Sequence, residues 1–285
     1  MDKKTFFFSF PVLFFATILI YLLLWNVYFS FTNWSILNPV PRFVGLSSYY
    51  QVLTSYYFIN SLTHSFLISS TLVIVGNLLG MTLAGLLYSI KSNKVRMTYM
   101  SIFIYPLTIS MSANGLIFLW LFNPNIGINT LLSFLHLPTS PWFSSTKTVL
   151  PSLIIIIIWA YSGISMLFYL ASFMNLDKSI VEAARIDGAN FFRIFRKILV
   201  PNSMNGFVVS TALLFLFSFR VFSLPFVISG GPSNIYLQTL LIYQYFEFST
   251  SYFANASVAS TIVVLIALVI VVPYAVLGMR RWSHH

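Results

Sequence analysis

Apolar runs of about twenty residues recur along the whole of this chain, and they decide its fold class before anything else is read. A helix needs roughly 20 predominantly apolar residues to cross a hydrocarbon core about 30 Å thick. Six such spans can be drawn, at about 6–31, 61–89, 98–122, 149–173, 202–227 and 254–279. The composition agrees: 58% of the 285 residues are hydrophobic and only 7% are charged, against about 25% charged in soluble domains. No spacer between the spans is long enough for a second folded domain. The reading is an all-α polytopic membrane protein, with residues 1–285 forming one transmembrane domain. The first span is longer than a secretory h-region and lacks a small-residue cleavage site, so it reads as retained.

The positive charges set an orientation. Lys3, Lys4, Lys91, Lys94, Arg96, Lys178, Arg185, Arg193, Arg196, Lys197, Arg280 and Arg281 all fall on one side of the six spans. Arg42 and Lys147 fall on the other, and Arg220 lies inside the fifth span. Basic residues concentrate on the cytoplasmic side, so both termini and the segment 176–201 are expected there. The net charge of +10 is then a topology signal and not a nucleic-acid footprint. Cysteine is absent, which excludes a disulfide scaffold or a Cys-based metal site. The four histidines, His64, His136, His284 and His285, show no metal-ligand spacing. His64 reads as an interfacial hydrogen-bonding residue. Glu247 reads as a solvated or partner-docking carboxylate, and His284-His285 as a natural end or the stub of a tag.

The outer loops 32–60, 123–148 and 228–253 are rich in Pro, Ser, Asn, Trp and Tyr, as expected at a membrane–water boundary. Asn33-Trp34-Ser35 and Asn255-Ala256-Ser257 fit the glycosylation acceptor pattern, and of the two only Asn33 reads as clear of the bilayer.

Residues 176–201 are the one long polar stretch, with three of the five acidic residues and five of the fifteen basic ones. Two short helices around a turn fit it. The first starts at Asp177 or Ser179, where Ser179 to Glu182 has the spacing of a capping box. It breaks at Asp187-Gly188, because glycine takes positive φ without penalty. Asn190 is a suitable N-cap for the second helix. There Phe191, Ile194, Phe195 and Ile198 form one apolar face, Arg193, Arg196 and Lys197 form the polar side, and Pro201 ends the helix. The pattern suits an amphipathic helix at the inner membrane surface. From the residues alone, an interfacial connector and a handle for a partner fit equally well.

Glu182-Ala183-Ala184, with Gly188, Ile198 and Pro201, resembles the EAA signature of permease subunits of binding-protein-dependent ABC importers. The run Glu182 to Ala189 looks most like the sugar-importing branch, of which the maltose importer is a member. Three further landmarks occur in the family's order. Phe43-Val44-Gly45-Leu46 with Tyr49 is similar to its first outer loop, with Ser48 where Asn is usual. Trp120-Leu121-Phe122-Asn123 with Gly127 and Asn129 resembles the segment after the third span. Gly230-Gly231-Pro232 resembles the loop after the fifth, and marks the subunit type that pairs with a second, different permease.

The resemblance implies a prokaryotic cell membrane and a set of partners: that second permease, two cytosolic ATPase subunits, an extracytoplasmic substrate-binding protein and a sugar. It implies that Glu182, Ala183, Ala184, Asp187 and Gly188 form a coupling helix and turn docking into the ATPase. ATP and Mg would be bound by that subunit, since this chain has no phosphate-binding Gly-x-x-x-x-Gly-Lys-Ser/Thr loop and so reads as a transport subunit rather than an enzyme.

Polar and aromatic groups within the spans are candidates for the substrate path. Arg220 stands out, and either lines a watery path or snorkels to the outer interface. Trp159, Tyr161 and Ser162 form an aromatic–polar cluster on the fourth span. Trp159 stands 23 residues before Glu182, the spacing of a sugar-lining Trp in the maltose importer's corresponding subunit, and by the same resemblance Phe217 and Ser218 fall on sugar-lining positions. Leu214 and Val221 stand where that family has polar groups. Packing is the competing role for Trp159 and Tyr161. Two alternatives remain: the same architecture importing another solute, such as a glycerol phosphate, or a stand-alone secondary transporter. The inverted repeats and intramembrane acids that often mark the latter are not evident.

Overall fold

The computed structural model describes residues 3–282, and their regular structure is helical. Thr32 and Phe43 form an isolated antiparallel bridge. The pair His284-His285 lies outside the described residues.

In chain order the helices are α1 (Lys3–Ser30), α2 (Ser47–Leu53), α3 (Tyr56–Thr71), α4 (Asn77–Ser89), α5 (Asn93–Thr108), α6 (Met111–Leu121), α7 (Ile128–Phe134), α8 (Val149–Met174), α9 (Lys178–Ile186), α10 (Phe191–Ile194), α11 (Met204–Phe219), α12 (Ser223–Ser229), α13 (Leu240–Ser249) and α14 (Phe253–Trp282). A π-helical turn, Leu72–Gly76, joins α3 to α4 without a break. Tyr56–Ser89 is therefore one crossing that begins five residues earlier than the sequence suggested. The first, fourth and sixth apolar runs each fold as one long helix.

Two crossings are interrupted where an unbroken helix was expected. The third bends by 95° between α5 and α6. Pro106 sits in the last turn of α5, and Ile109 and Ser110 leave helical geometry, with ψ of 133° and 144°. The Ser110 hydroxyl then caps α6 by accepting from the Ala113 amide at 3.2 Å, as N-cap serines do. The fifth stops at Phe219 and restarts at Ser223. Its hydrophobic pattern is continuous across both breaks, so periodicity alone could not reveal them.

α8 is the hub. Its Leu153, Ile156 and Ile157 are fully buried together with Ile68, Leu72 and Leu214 from the second and fifth crossings. A Cβ added at Gly163 would lie 2.2 Å from the Phe103 carbonyl oxygen, so only glycine permits this approach of α5 to α8. At the end away from the polar stretch, Phe58, Phe219, Tyr243 and Val258 join α3, α11, α13 and α14. At the opposite, basic end, Met166, Phe173, Val181, Ile194 and Leu199 tie the polar stretch to the bundle. α1 stands at the edge. It is joined to α14 by Asn26, whose amide donates to Thr261 Oγ1 at 3.0 Å, and its apolar residues from Phe10 to Leu24 are largely exposed.

Candidate coupling loop and substrate path

Residues 176–201 fold as two helices about a tight turn. The Asp177 carboxylate caps α9 by accepting from the Ser179 amide at 2.9 Å, and that bond holds the carboxyl below its ordinary pKa. The cap is therefore Asp177 and not a Ser179–Glu182 box, which leaves Glu182 unengaged among the described residues. α9 ends in a Schellman motif: the Gly188 amide donates to the Arg185 carbonyl at 3.0 Å and the Ala189 amide to the Ala184 carbonyl at 2.9 Å. The motif requires a left-handed residue at its turn, and Gly188 has φ +75°. The Asn190 side chain caps α10, accepting from the Arg193 amide at 2.9 Å.

One face of this unit points into the bundle and the other points away. Val181 is buried and Ala184 half-buried, whereas Glu182, Ala183, Arg185 and Asp187 are exposed. Ile186 is 87% exposed, an apolar knob on an otherwise polar surface. The second helix departs from expectation twice. It runs through a π turn (Phe195–Leu199) and a 3-10 turn (Pro201–Ser203) directly into α11, so Pro201 opens the next helical turn rather than ending a separate helix. Its apolar face is turned partly into the bundle: Ile194 and Leu199 are buried and Phe195 stands edge-on to Phe173 at 6.2 Å, while Phe191 stays 40% exposed. The Phe195 ring occupies the space beside Gly85, where an added Cβ would lie 2.4 Å from it. The anchor of the loop is the second and fourth crossings.

The structure divides the aromatic–polar cluster of the fourth crossing. Tyr161 is buried and stacks face to face on Phe217, with centroids 5.2 Å apart and planes within 3°. Trp159 turns the other way, 40% exposed and edge-on to Phe118 at 5.4 Å. Two residues on a helix are separated by about 200°, which explains the split. Ser162 is half-buried. Ser218 is fully buried and donates to the Leu214 carbonyl at 2.7 Å, so its hydroxyl is already used. Phe217 remains exposed. Arg220 is not inside a helix but at the break after α11, with its side chain exposed. Leu214 and Val221 are buried in the apolar core. Two residues beyond Arg220, Phe222 opens a cleft of about 390 Å³ completed by Leu241, Gln244, Tyr245 and Phe248.

The outer loops are held by polar side chains. Asn129 is buried; it donates to the carbonyls of Pro124 and Ser140 at 2.9 and 2.8 Å, and accepts from Trp142 Nε1 at 2.8 Å. Phe122 stacks on Trp142 at 4.2 Å. The Ser48 hydroxyl donates to the Thr32 carbonyl at 2.7 Å, closing the first loop onto the end of α1. His64 Nδ1 lies 3.2 Å from the Gln238 carbonyl, the hydrogen bond its position suggested. Glu247 differs from expectation. It turns inward and accepts from Asn255 at 3.1 Å. Asn255 is buried beside it, while Asn33 is half-buried with its oxygen bonded to the Arg42 amide.

The model of the family described as "Binding-protein-dependent transport system inner membrane component" matches residues 76–279. The chain belongs to that family. It is a multi-pass membrane permease, which removes the stand-alone secondary transporter as an alternative. It is 54% identical over 282 residues, 99% of both chains, to the glucose import system permease of Saccharolobus solfataricus. It is 32% identical over 274 residues, 94% of this chain and 92% of the relative, to a probable ABC transporter permease of Pyrococcus horikoshii. Among solved structures, a chain of a bacterial alginate ABC transporter, in complex with an alginate pentasaccharide-bound periplasmic protein, superposes with TM-score 0.83 and 19% identity, covering 98% of this chain and 95% of that one. That likeness shows a shared fold over nearly the whole of both chains.

Proposed function

We propose that this permease is one half of the membrane channel of an ATP-driven sugar importer, with glucose its foremost substrate. The observation that carries the reading is the 54% identity, end to end, with a glucose import permease. The geometry supports it. Phe217, stacked on Tyr161, and Trp159, turned the other way, each leave an aromatic ring partly exposed, and the cleft that opens at Phe222 adds Tyr245 and the Gln244 amide. Sugars offer apolar C–H faces ringed by hydroxyls, and aromatic platforms beside a few polar groups suit them. A path lined on one side only calls for a second permease to complete it.

The basic end is cytoplasmic, as the distribution of Lys and Arg requires. The exposed surface formed by Glu182, Ala183, Ile186 and Asp187 then faces an ATPase subunit, and Gly188 sets the angle at which it is presented. Two ATPase subunits hold ATP and magnesium, and an extracytoplasmic binding protein delivers sugar to the opposite end. Co-expression of the permease pair, the ATPase and the binding protein, followed by reconstitution in proteoliposomes, tests the whole assignment. ATP inside and radiolabelled glucose outside should give uptake that excess unlabelled glucose abolishes. Uptake without ATP, or uptake competed only by a glycerol phosphate, would overturn it.

A further inference from the structure

Between the coupling loop and the aromatic path lies a buried polar knot that neither feature uses. Its centre is Asn77, the first residue after the π turn of the second crossing. The Asn77 amide nitrogen donates to the Val73 carbonyl at 2.7 Å and to Thr211 Oγ1 at 3.1 Å. Its oxygen accepts from Ser210 Oγ at 2.8 Å and Tyr169 OH at 3.1 Å. Ser210 and Ser165 hydroxyls are 2.8 Å apart, and all of these side chains are buried.

The knot joins α4, α8 and α11 at one level of the bundle. One turn on, a Cβ added at Gly80 would lie 2.4 Å from Ser165 Oγ and 2.7 Å from the Met166 amide nitrogen, so the second and fourth crossings are pressed backbone to backbone. The π turn accounts for how Asn77 reaches this place. A π turn adds one residue to the helical path and re-aims the side chains beyond it, and such turns are frequent at functional sites. Here Asn77 binds back to the Val73 carbonyl inside that turn.

The register is informative. Ser165 lies one turn from Tyr161, and Ser210 lies two turns from Phe217, each on the side toward the coupling loop. The fourth and fifth crossings are the two that flank the loop, and the second anchors Phe195 through Gly85. We propose that Asn77 is a positioning residue for coupling. It clamps these three crossings into one lever, so that displacement of residues 176–201 reaches the Tyr161–Phe217 pair instead of dissipating as slippage between helices. The proposal rests on the importer reading above.

The test uses the assembled complex in proteoliposomes, comparing sugar transported per ATP hydrolysed. Wild type must first show binding-protein-stimulated hydrolysis with uptake; if it shows neither, the importer reading fails and the knot is not at issue. Asn77→Leu keeps size and removes every hydrogen bond. The stranded serine and threonine hydroxyls can bond to carbonyls of their own helices, so assembly and basal hydrolysis should change less than about twofold while sugar moved per ATP falls about tenfold. Asn77→Asp retains the acceptor oxygen and should recover much of that loss. Tyr169→Phe deletes one donor without altering packing and should lower the ratio about threefold, which decides the matter if Asn77→Leu does not assemble. Stimulated hydrolysis and uptake falling in parallel in Tyr169→Phe, or a normal ratio in Asn77→Leu, would overturn the proposal.

Discussion

Gly188 allows the cost of a single atom in the coupling loop to be worked out. Its φ of +75° costs an L-residue about 1–2 kcal/mol, because Cβ crowds the following carbonyl. A Cβ built there meets nothing within 4 Å, so within this subunit the penalty is purely that of the backbone. Gly188→Ala should then cost about 1 kcal/mol, and Gly188→Val more, since β-branching makes a positive φ a genuine outlier. Gly188→Asn should cost least, because asparagine visits the left-handed region routinely. A turn that relaxes in the free subunit must be strained again on docking, so the penalty falls on the affinity for the ATPase, while Val181 and Ile194, packed in one buried cluster, keep both helices attached to the bundle. At about 1.4 kcal/mol per tenfold, apparent affinity for the ATPase should drop roughly 5-fold for Ala and more than tenfold for Val, with Asn near wild type. Titration of the ATPase subunit against the permease pair in nanodiscs, alongside uptake, reads this series directly. If Asn is as damaging as Val, the ATPase groove excludes any side chain at this position and the conformational argument is wrong. Wild-type behaviour in all three would remove the turn from the docking geometry.

Trp159→Ala should reduce glucose uptake at least tenfold while leaving ATPase association intact, because the ring is partly exposed and carries little of the core; unchanged uptake would take it off the path. Phe195→Ala leaves a hole beside Gly85 and Phe173. Such truncations cost about 3–5 kcal/mol when fully buried, and this half-buried ring should fall below that, seen as faster protease cleavage within 176–201 in inside-out vesicles. Asn129→Ala strands Trp142 Nε1 and the Ser140 carbonyl. At about 1–3 kcal/mol for a buried polar group left unpaired, hydrogen exchange across 124–142 should accelerate. Burial pushes the Glu247 carboxyl above its ordinary value, opposed by hydrogen bonds from Asn255 and Tyr243. The folded state therefore holds this proton more tightly than the unfolded one, so the carboxyl's contribution to stability is present in acid and is lost as pH rises through the raised value. Glu247→Gln should abolish that loss and raise the thermal midpoint at neutral pH, as measured in detergent across a pH series.

Six crossings, their order and the helix–turn–helix at 176–190 could all be read from residues, because each has a short-range cause: apolar length, a capping side chain, a glycine at a left-handed turn. The misreadings share a different cause. At Thr108–Met111 the chain bends and at Arg220 the helix is interrupted inside an apolar run, and hydropathy is blind to both. Phe191, Ile194, Phe195 and Ile198 were legible as one apolar face, but its partner was not, since lipid and the bundle's own helices make the same demand on a side chain. Glu247 looked solvated because its partners, Tyr243 one turn away on α13 and Asn255 eight residues on in α14, face it only once the chain turns between the two helices. Asn77 escaped for the converse reason: isolated in its helix it is one amide among leucines, and only the π turn and the hydroxyls of Ser165, Tyr169 and Ser210 give it meaning. Sequence thus picked out the two surfaces on which the proposed function rests, Glu182 to Gly188 and Trp159 with Phe217. What connects them depends on side chains more than eighty positions apart, and those connections decide whether motion at one surface arrives at the other.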